Sequence, residues 1–245
     1  MSGPSTIDVE YADAGTRMIG SLSVPADVAG PAVLLVPDAY GVTEHAIGLA
    51  QRLAAEGHPV LVADLWGERR RPADQAEFGP MIGALVADRD RWLGRVAAAH
   101  TALREQPGLA GLPVVLLGYC VGGSSALEYV RTGGDVAGAA SIHGGLDLLA
   151  PDWSAASAPA VLVCTGEDDP MATPQQRADL TAALSGAGSD WQLHVYSDTV
   201  HAFTSPRAQD SPRPDVVAYS ARSTARAWAA TLGFLRDVGT SLPTA

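Results

Sequence analysis

From residue 31 onward, short runs of consecutive apolar residues alternate with longer stretches in which apolar positions recur at helical spacing. "PAVLLVPDAYG", "PVLVADLWG", "PVVLLGY", "VAGAASIHGG", "PAVLVCTGEDD" and "WQLHVYSD" each predict a strand, and the first ends abruptly at Pro37 and Asp38. A run that is apolar at every position fits a strand buried on both faces, as in a parallel sheet. Residues 43 to 57 predict a helix, with Ile47, Leu49, Ala50 and Leu53 on one side and Gly57 as the stop. Further helices are predicted from about Asp90 to Glu105, from Gly123 to about Arg131, over 174 to 186, and near 215 to 237. The opening "TIDVEYADAGTRMIGSLSVP" alternates polar and apolar residues on either side of "DAG", the pattern of an antiparallel hairpin. Strand and helix in alternation predict an α/β fold, a mostly parallel sheet with helices on both faces and the hairpin at its start. Residues 66 to 89 are the least regular part and are expected to form an irregular excursion over one end of the sheet. No repeat, charge block or linker divides the chain, so residues 1–245 are expected to form a single domain.

Composition narrows the function. The 245 residues, 47% of them hydrophobic, suffice for one large core. Sixteen basic against 27 acidic residues leave a formal charge of −11, which would repel nucleic-acid phosphates. The start "MSGPSTIDVE" lacks the basic and apolar segments of a secretory signal. No apolar run approaches the about 18 residues of a membrane span. Cys120 and Cys164 belong to no close-spaced metal pattern, and two cysteines do not indicate a disulfide framework. No phosphate-binding glycine loop or dinucleotide fingerprint appears, so no cofactor and no metal is expected. These features make a cytoplasmic protein without nucleic-acid or membrane partners the default; a small-molecule substrate and a monomer or homodimer are expected.

The chemistry concentrates in "LLGYCVGGSS", residues 116 to 125. Cys120 follows a buried strand and precedes a helix, with Gly118, Gly122 and Gly123 around it, and this is the strand-turn-helix elbow that presents a nucleophile. The helix N-terminus beyond it favours a thiolate and offers backbone N–H groups to an oxyanion, first of all that of Val121. Two later strand ends supply partners in the order nucleophile, acid, histidine. "VLVCTGEDDP" carries Glu167, Asp168 and Asp169, and "LHVYSDTVHAF" delivers His201. A thiol needs a base, and the base needs a carboxylate to fix its tautomer. His194 lies inside a strand pattern, and His143 precedes the acid, although "SIHGG" could still bring it near the cleft. His45, His58 and His100 sit in or beside helical patterns and read as surface residues. Cys164, inside an apolar strand, reads as an inert core thiol.

With these segments in view, the chain resembles the dienelactone hydrolase family of α/β-hydrolases, which use a Cys-Asp-His triad. The likeness runs from "VLLVPDAYGV" through "ADLWG", "LGYCVGG", "SIHGG" and "GEDDP" to "HVYSDTVHAFTSP", and Gly-Tyr-Cys-Val-Gly-Gly and His-Ala-Phe carry most of it. It implies cofactor-free hydrolysis of a lactone or small ester through an acyl-cysteine. A general carboxylesterase or thioesterase on the same triad is the alternative within enzymes, and a non-catalytic hydrolase-fold binding protein the alternative outside them. The family's acid stands three residues after the loop glycine, which from Gly166 selects Asp169. Ala39, in the loop after "VLLVP", would supply the second oxyanion donor. Where the family commonly carries a glutamate near the nucleophile, this chain has Asp38, a candidate modulator of the thiol or a simple loop cap. The family's substrate-binding arginine, four residues past the histidine, is replaced by Ser205, with Arg207 two further on. Arg69, Arg70, Arg71 and Arg89 are the cationic candidates for substrate contact, and Tyr40, Trp66, Phe78 and Phe203 the aromatic ones.

Overall fold

The computed structural model describes residues 3–240, which fall into two compact units divided between residues 117 and 118. In the first unit, β1 (Ser5–Asp13) and β2 (Thr16–Val24) form an antiparallel ladder from Ser5 opposite Val24 to Asp13 opposite Thr16. The alternating sequence therefore folds about Ala14 and Gly15, as its pattern requires. β3 (Ala32–Val36) and β4 (Val60–Val62) are buried along their whole length and pair in parallel, and β4 pairs antiparallel with β2. The order in this unit is β1-β2-β4-β3. The connection between β3 and β4 is α1 (Glu44–Ala55), whose first turn is capped by the Thr43 hydroxyl accepting from the Ala46 N–H at 3.3 Å.

The stretch expected to be irregular contains a helix. A 3-10 turn over Gln75–Glu77 leads into α2 (Phe78–Ala87), and Asp88 then caps α3 (Arg89–Arg104) through the Arg91 N–H. "FGPMIGALVA" is apolar almost throughout, so it shows no 3.6-residue contrast between faces, and Leu85 is its buried residue. Arg69 fixes the start of this stretch to the hairpin. It forms a two-pronged ion pair with Asp8 and donates to the carbonyls of Ile19 and Gly20.

Two histidines read as surface residues are buried. His58 follows α1 and lies under Gly30, with Nδ1 3.1 Å from the Pro31 carbonyl oxygen, and burial lowers its pKa. His100 is on the buried face of α3, beside Val96, Ala99 and Leu103. A single histidine in an amphipathic pattern does not reveal which face it occupies.

β5 (Val114–Tyr119) carries the chain out of the first unit. In the second unit, β6 (Gly138–Ile142), β7 (Ala160–Gly166) and β8 (Trp191–Tyr196) are parallel neighbours in that order. α4 (Val121–Arg131), α5 (Pro174–Gly186) and α6 (Ala221–Thr240) complete it. Leu127 of α4, Val161 and Val163 of β7, and Leu180 and Leu184 of α5 share one core cluster. α4 starts two residues before the predicted Gly123, because the first turn tolerates glycines. α6 starts at Ala221 rather than near 215. Val217 is drawn instead into a parallel bridge with His201, and the Ser220 hydroxyl accepts from the Ser223 N–H to begin the helix. Among the described residues no helix is long and apolar enough to cross a membrane.

Candidate active site

The site grows out of the ends of β5, β6, β7 and β8 within the second unit. At the end of β5 the chain reverses through Cys120, whose backbone has φ 55° and ψ −124°. This conformation costs a non-glycine residue about 1–3 kcal/mol. Hydrogen bonds hold it. The Cys120 N–H donates to the Ile142 carbonyl at 3.1 Å, and its C=O accepts from Gly123 and Ser124 N–H at 2.8 and 3.2 Å. The surrounding glycines are needed for space. A Cβ on Gly118 would overlap the Gly122 carbonyl, and one on Gly123 would sit 2.6 Å from Ser141 Oγ and 2.9 Å from the Gly144 Cα. Val121 opens α4, so its N–H belongs to the first-turn donors that lack an intrahelical acceptor.

Past the end of β8, His201 is held by both backbone groups. Its N–H donates to the Val216 carbonyl and its C=O accepts from Ala218 N–H. Its Nε2 lies 3.2 Å from Cys120 Sγ, and its Nδ1 2.9 Å from Asp169 Oδ2. The other carboxylate oxygen, Oδ1, accepts from the Met171 N–H at 2.9 Å, so Asp169 is oriented on both sides. Asp168 and Glu167 donate their backbone N–H groups to Thr199 and Tyr196 carbonyls and stand outside this chain of contacts. Arg177 of α5 donates from Nη1 to the carbonyls of Gly166, Glu167 and Ala172, and so ties down the acidic loop.

His201 is 3% exposed. Burial opposes its protonation, but the charge of Cys120, the hydrogen bonds to Asp169 and Cys120, and the charge of Asp169 together outweigh it, and the ring is pushed up to about 10. A doubly protonated ring held between a sulfur and a carboxylate is the arrangement that supports a thiolate nucleophile. Cys164 is different. It is fully buried, accepts from the Tyr196 hydroxyl at 3.4 Å, and burial pushes its thiol up to about 11.

His143, set aside by chain order, is also here. It ends β6 with φ 41°, and its Nδ1 lies 3.2 Å from the Cys120 backbone nitrogen. The signal in the sequence was "SIHGG", a histidine at a buried strand end followed by two glycines. Phe203 is fully buried, with its ring edge-on to His143 and Tyr196, and anchors the histidine loop. Ser205 is buried and Arg207 exposed.

The remaining candidates lie in the first unit. Asp38 Oδ1 accepts from the Tyr40 N–H at 3.0 Å. The Ala39 carbonyl accepts from Trp66 Nε1 at 3.0 Å, and Tyr40 packs edge-on against Phe78 with 4.7 Å between ring centroids. Arg71 donates to the Val42 carbonyl, and the Arg89 guanidinium lies 5.6 Å from the Trp92 ring centroid.

A parallel α/β sheet, a strained cysteine elbow and a histidine–aspartate pair at the following strand ends place this chain in the α/β-hydrolase class. Within that class it belongs to the dienelactone hydrolase family, whose model matches residues 18–239. It is therefore a hydrolase of carboxylic ester and lactone bonds. The solved structure entitled "Crystal Structure of Dienelactone Hydrolase-like Promiscuous Phospotriesterase P91 from Metagenomic Libraries" is 32% identical, covers 97% of this chain and 99% of its own, and superimposes with a TM-score of 0.89. A Bradyrhizobium sp. protein named "Probable 2-oxo-3-(5-oxofuran-2-ylidene)propanoate lactonase" is 27% identical over 94% of this chain and 95% of its own length. An Escherichia coli (strain K12) relative, "Putative carboxymethylenebutenolidase", is 26% identical over 85% and 78%.

Proposed function

We propose that this chain cleaves a lactone or small ester through an acyl-cysteine intermediate, with Cys120 as nucleophile, His201 as base and proton donor, and Asp169 as its orienting carboxylate. The observation that carries this reading is the continuous contact from sulfur to imidazole to carboxylate at 3.2 and 2.9 Å. The Cys120 thiolate attacks the carbonyl carbon, the C–S bond forms, and the π pair moves onto oxygen, towards the Val121 N–H. Collapse expels the alkoxide, which takes the proton from His201 Nε2. His201 then removes a proton from water, the hydroxide attacks the thioester, and the thiolate leaves. A thiolate leaves readily, which favours ester and lactone substrates over amides.

The test is turnover on a dienelactone and an aryl ester, with intact mass spectrometry to trap the acyl-enzyme. Cys120→Ala should abolish both turnover and the mass increment. Asp169→Asn should lower kcat on the order of 10³–10⁴-fold with the fold intact, and Asp168→Asn should leave it within about twofold. If Asp168→Asn proves the crippling change, the assignment of the acid is wrong.

One relative suggests a second activity. The 32% identical structure bears the name of a promiscuous phosphotriesterase, and a thiolate that attacks carbonyl carbon can also attack the phosphorus of a neutral aryl phosphotriester. Release of the aryl alcohol in the wild type and not in Cys120→Ala would support it. The role expected of Asp38 rests on the family resemblance, those of Ala39, Tyr40, Trp66, Arg89 and Phe203 on their places at strand ends, in the excursion and in the histidine loop, and single substitutions test them. A cytoplasmic, single-domain monomer or homodimer is also proposed, with two free cysteines consistent with a reducing compartment.

A further inference from the structure

Beside the triad lies a second histidine whose ring nitrogens are both engaged. The Cys120 N–H points to His143 Nδ1 at 3.2 Å, and an N–H can only donate to a lone pair. Nδ1 is therefore unprotonated, and Nε2 carries the proton, which it donates to Thr204 Oγ1 at 2.7 Å. The ring is 2% exposed and is wedged edge-on between Phe203, at 5.1 Å, and His201, at 5.3 Å between centroids. Burial, together with the charge of His201, keeps it in the neutral form.

The two partners are not equivalent. One is the backbone of the nucleophile itself, at the residue with the strained elbow conformation. The other, Thr204, stands three residues beyond the catalytic base in the same loop. A single rigid ring thus ties the cysteine elbow to the histidine loop. The separation it spans is the one that sets Cys120 Sγ against His201 Nε2.

We infer that His143 is a positioning residue for the nucleophile: its neutral imidazole bridges the Cys120 N–H and Thr204, and so holds sulfur and base in register for attack. This rests on the hydrolase reading above. The bridge explains why a histidine occupies a left-handed backbone position at the end of β6, where a bulky apolar residue would be strained. It also leaves the Cys120 N–H unavailable to an oxyanion, since His143 and the Ile142 carbonyl already occupy it. A charged ring at this place would turn the Nδ1 acceptor into a donor facing the Cys120 N–H. It would also set a second cation against His201.

The experiment uses the full chain with His143→Phe, His143→Asn and Thr204→Val, each checked for folding by circular dichroism. Asparagine keeps an acceptor at the Nδ1 position and accepts a positive φ, whereas phenylalanine keeps the ring and removes both polar atoms. Two readouts are compared: kcat and KM on an aryl ester, and the rate of Cys120 alkylation by iodoacetamide, with Cys120→Ala as blank. His143→Phe should lower kcat and the alkylation rate each on the order of ten- to a hundredfold, with KM within about twofold. His143→Asn should restore most of both. Thr204→Val should fall between, and ring ¹⁵N shifts should show His143 keeping the Nε2–H tautomer that the Cys120 N–H imposes while its Nε2–H loses its acceptor. A folded His143→Phe with both rates within about twofold of wild type overturns the inference, as does a folded asparagine variant no better than phenylalanine. Should the phenylalanine variant not fold, an unchanged alkylation rate in Thr204→Val overturns it. A wild type that hydrolyses nothing, while the alkylation contrast among variants persists, overturns the hydrolase reading and supports this one.

Discussion

His201 shows how burial and two neighbours decide the charge of one ring. An imidazole this deeply buried should resist protonation, yet the sulfur and the carboxylate together push it up to about 10. In an NMR titration the wild-type ring should therefore remain doubly protonated well above neutral pH. Asp169→Asn removes one hydrogen bond and one negative charge and should bring its pKa down, as should Cys120→Ala, by removing the sulfur. A His201 ring that titrates near 6.5 in the wild type would contradict the ion-pair description of the site. The sign carries over to stability. A raised value means that protonation favours the folded state, fully so below the unfolded value near 6.5, with the contribution lost as pH rises through about 10. Urea unfolding should accordingly show wild type more stable than His201→Gln near neutral pH, and the gap should close above pH 10.

At the scale of elements, the site depends on close approaches that only small residues permit. Gly123→Ala would press a methyl group onto Ser141 Oγ and the Gly144 backbone, and should cost about 1–3 kcal/mol in urea unfolding. Arg177 is nine-tenths buried and satisfies three carbonyls of the loop that carries Asp169. Arg177→Ala should cost about 3 kcal/mol and also lower kcat, because the carboxylate loses its support. Arg177 was not legible in the sequence, where an arginine in a helix reads as a solvated side chain. The elbow and the histidine loop were legible, because fully apolar runs that stop at polar or glycine residues mark strand ends, and strand ends are where such a fold places its chemistry. α2 was missed for the opposite reason, since a segment apolar on every side carries no period. His143 was noticed but not placed. Its role depends on contacts with Cys120, 23 positions away, and Thr204, 61 positions away, and no local pattern encodes them.

At the scale of the molecule, the formal charge of −11 sets a background field that any substrate must cross. At low ionic strength such a field lowers the approach rate of an anion, and salt screens it over a Debye length of about 8 Å at physiological strength. Several arginines that could offset it locally are committed elsewhere. Arg69 is held by Asp8 and two carbonyls, Arg71 by the Val42 carbonyl, and Arg213 by Asp215 at 2.8 Å. The comparison is an anionic lactone against a neutral aryl ester, each across ionic strength from low to physiological. KM for the anionic lactone should fall by roughly a few-fold as salt rises, while that for the neutral ester stays level. Arg89→Ala should then leave the ratio of the two activities unchanged, since that side chain lies over Trp92. A KM for the anionic lactone that rises with salt would mean that a local cation outweighs the background charge. A loss confined to the anionic lactone in Arg89→Ala would identify Arg89 as that cation.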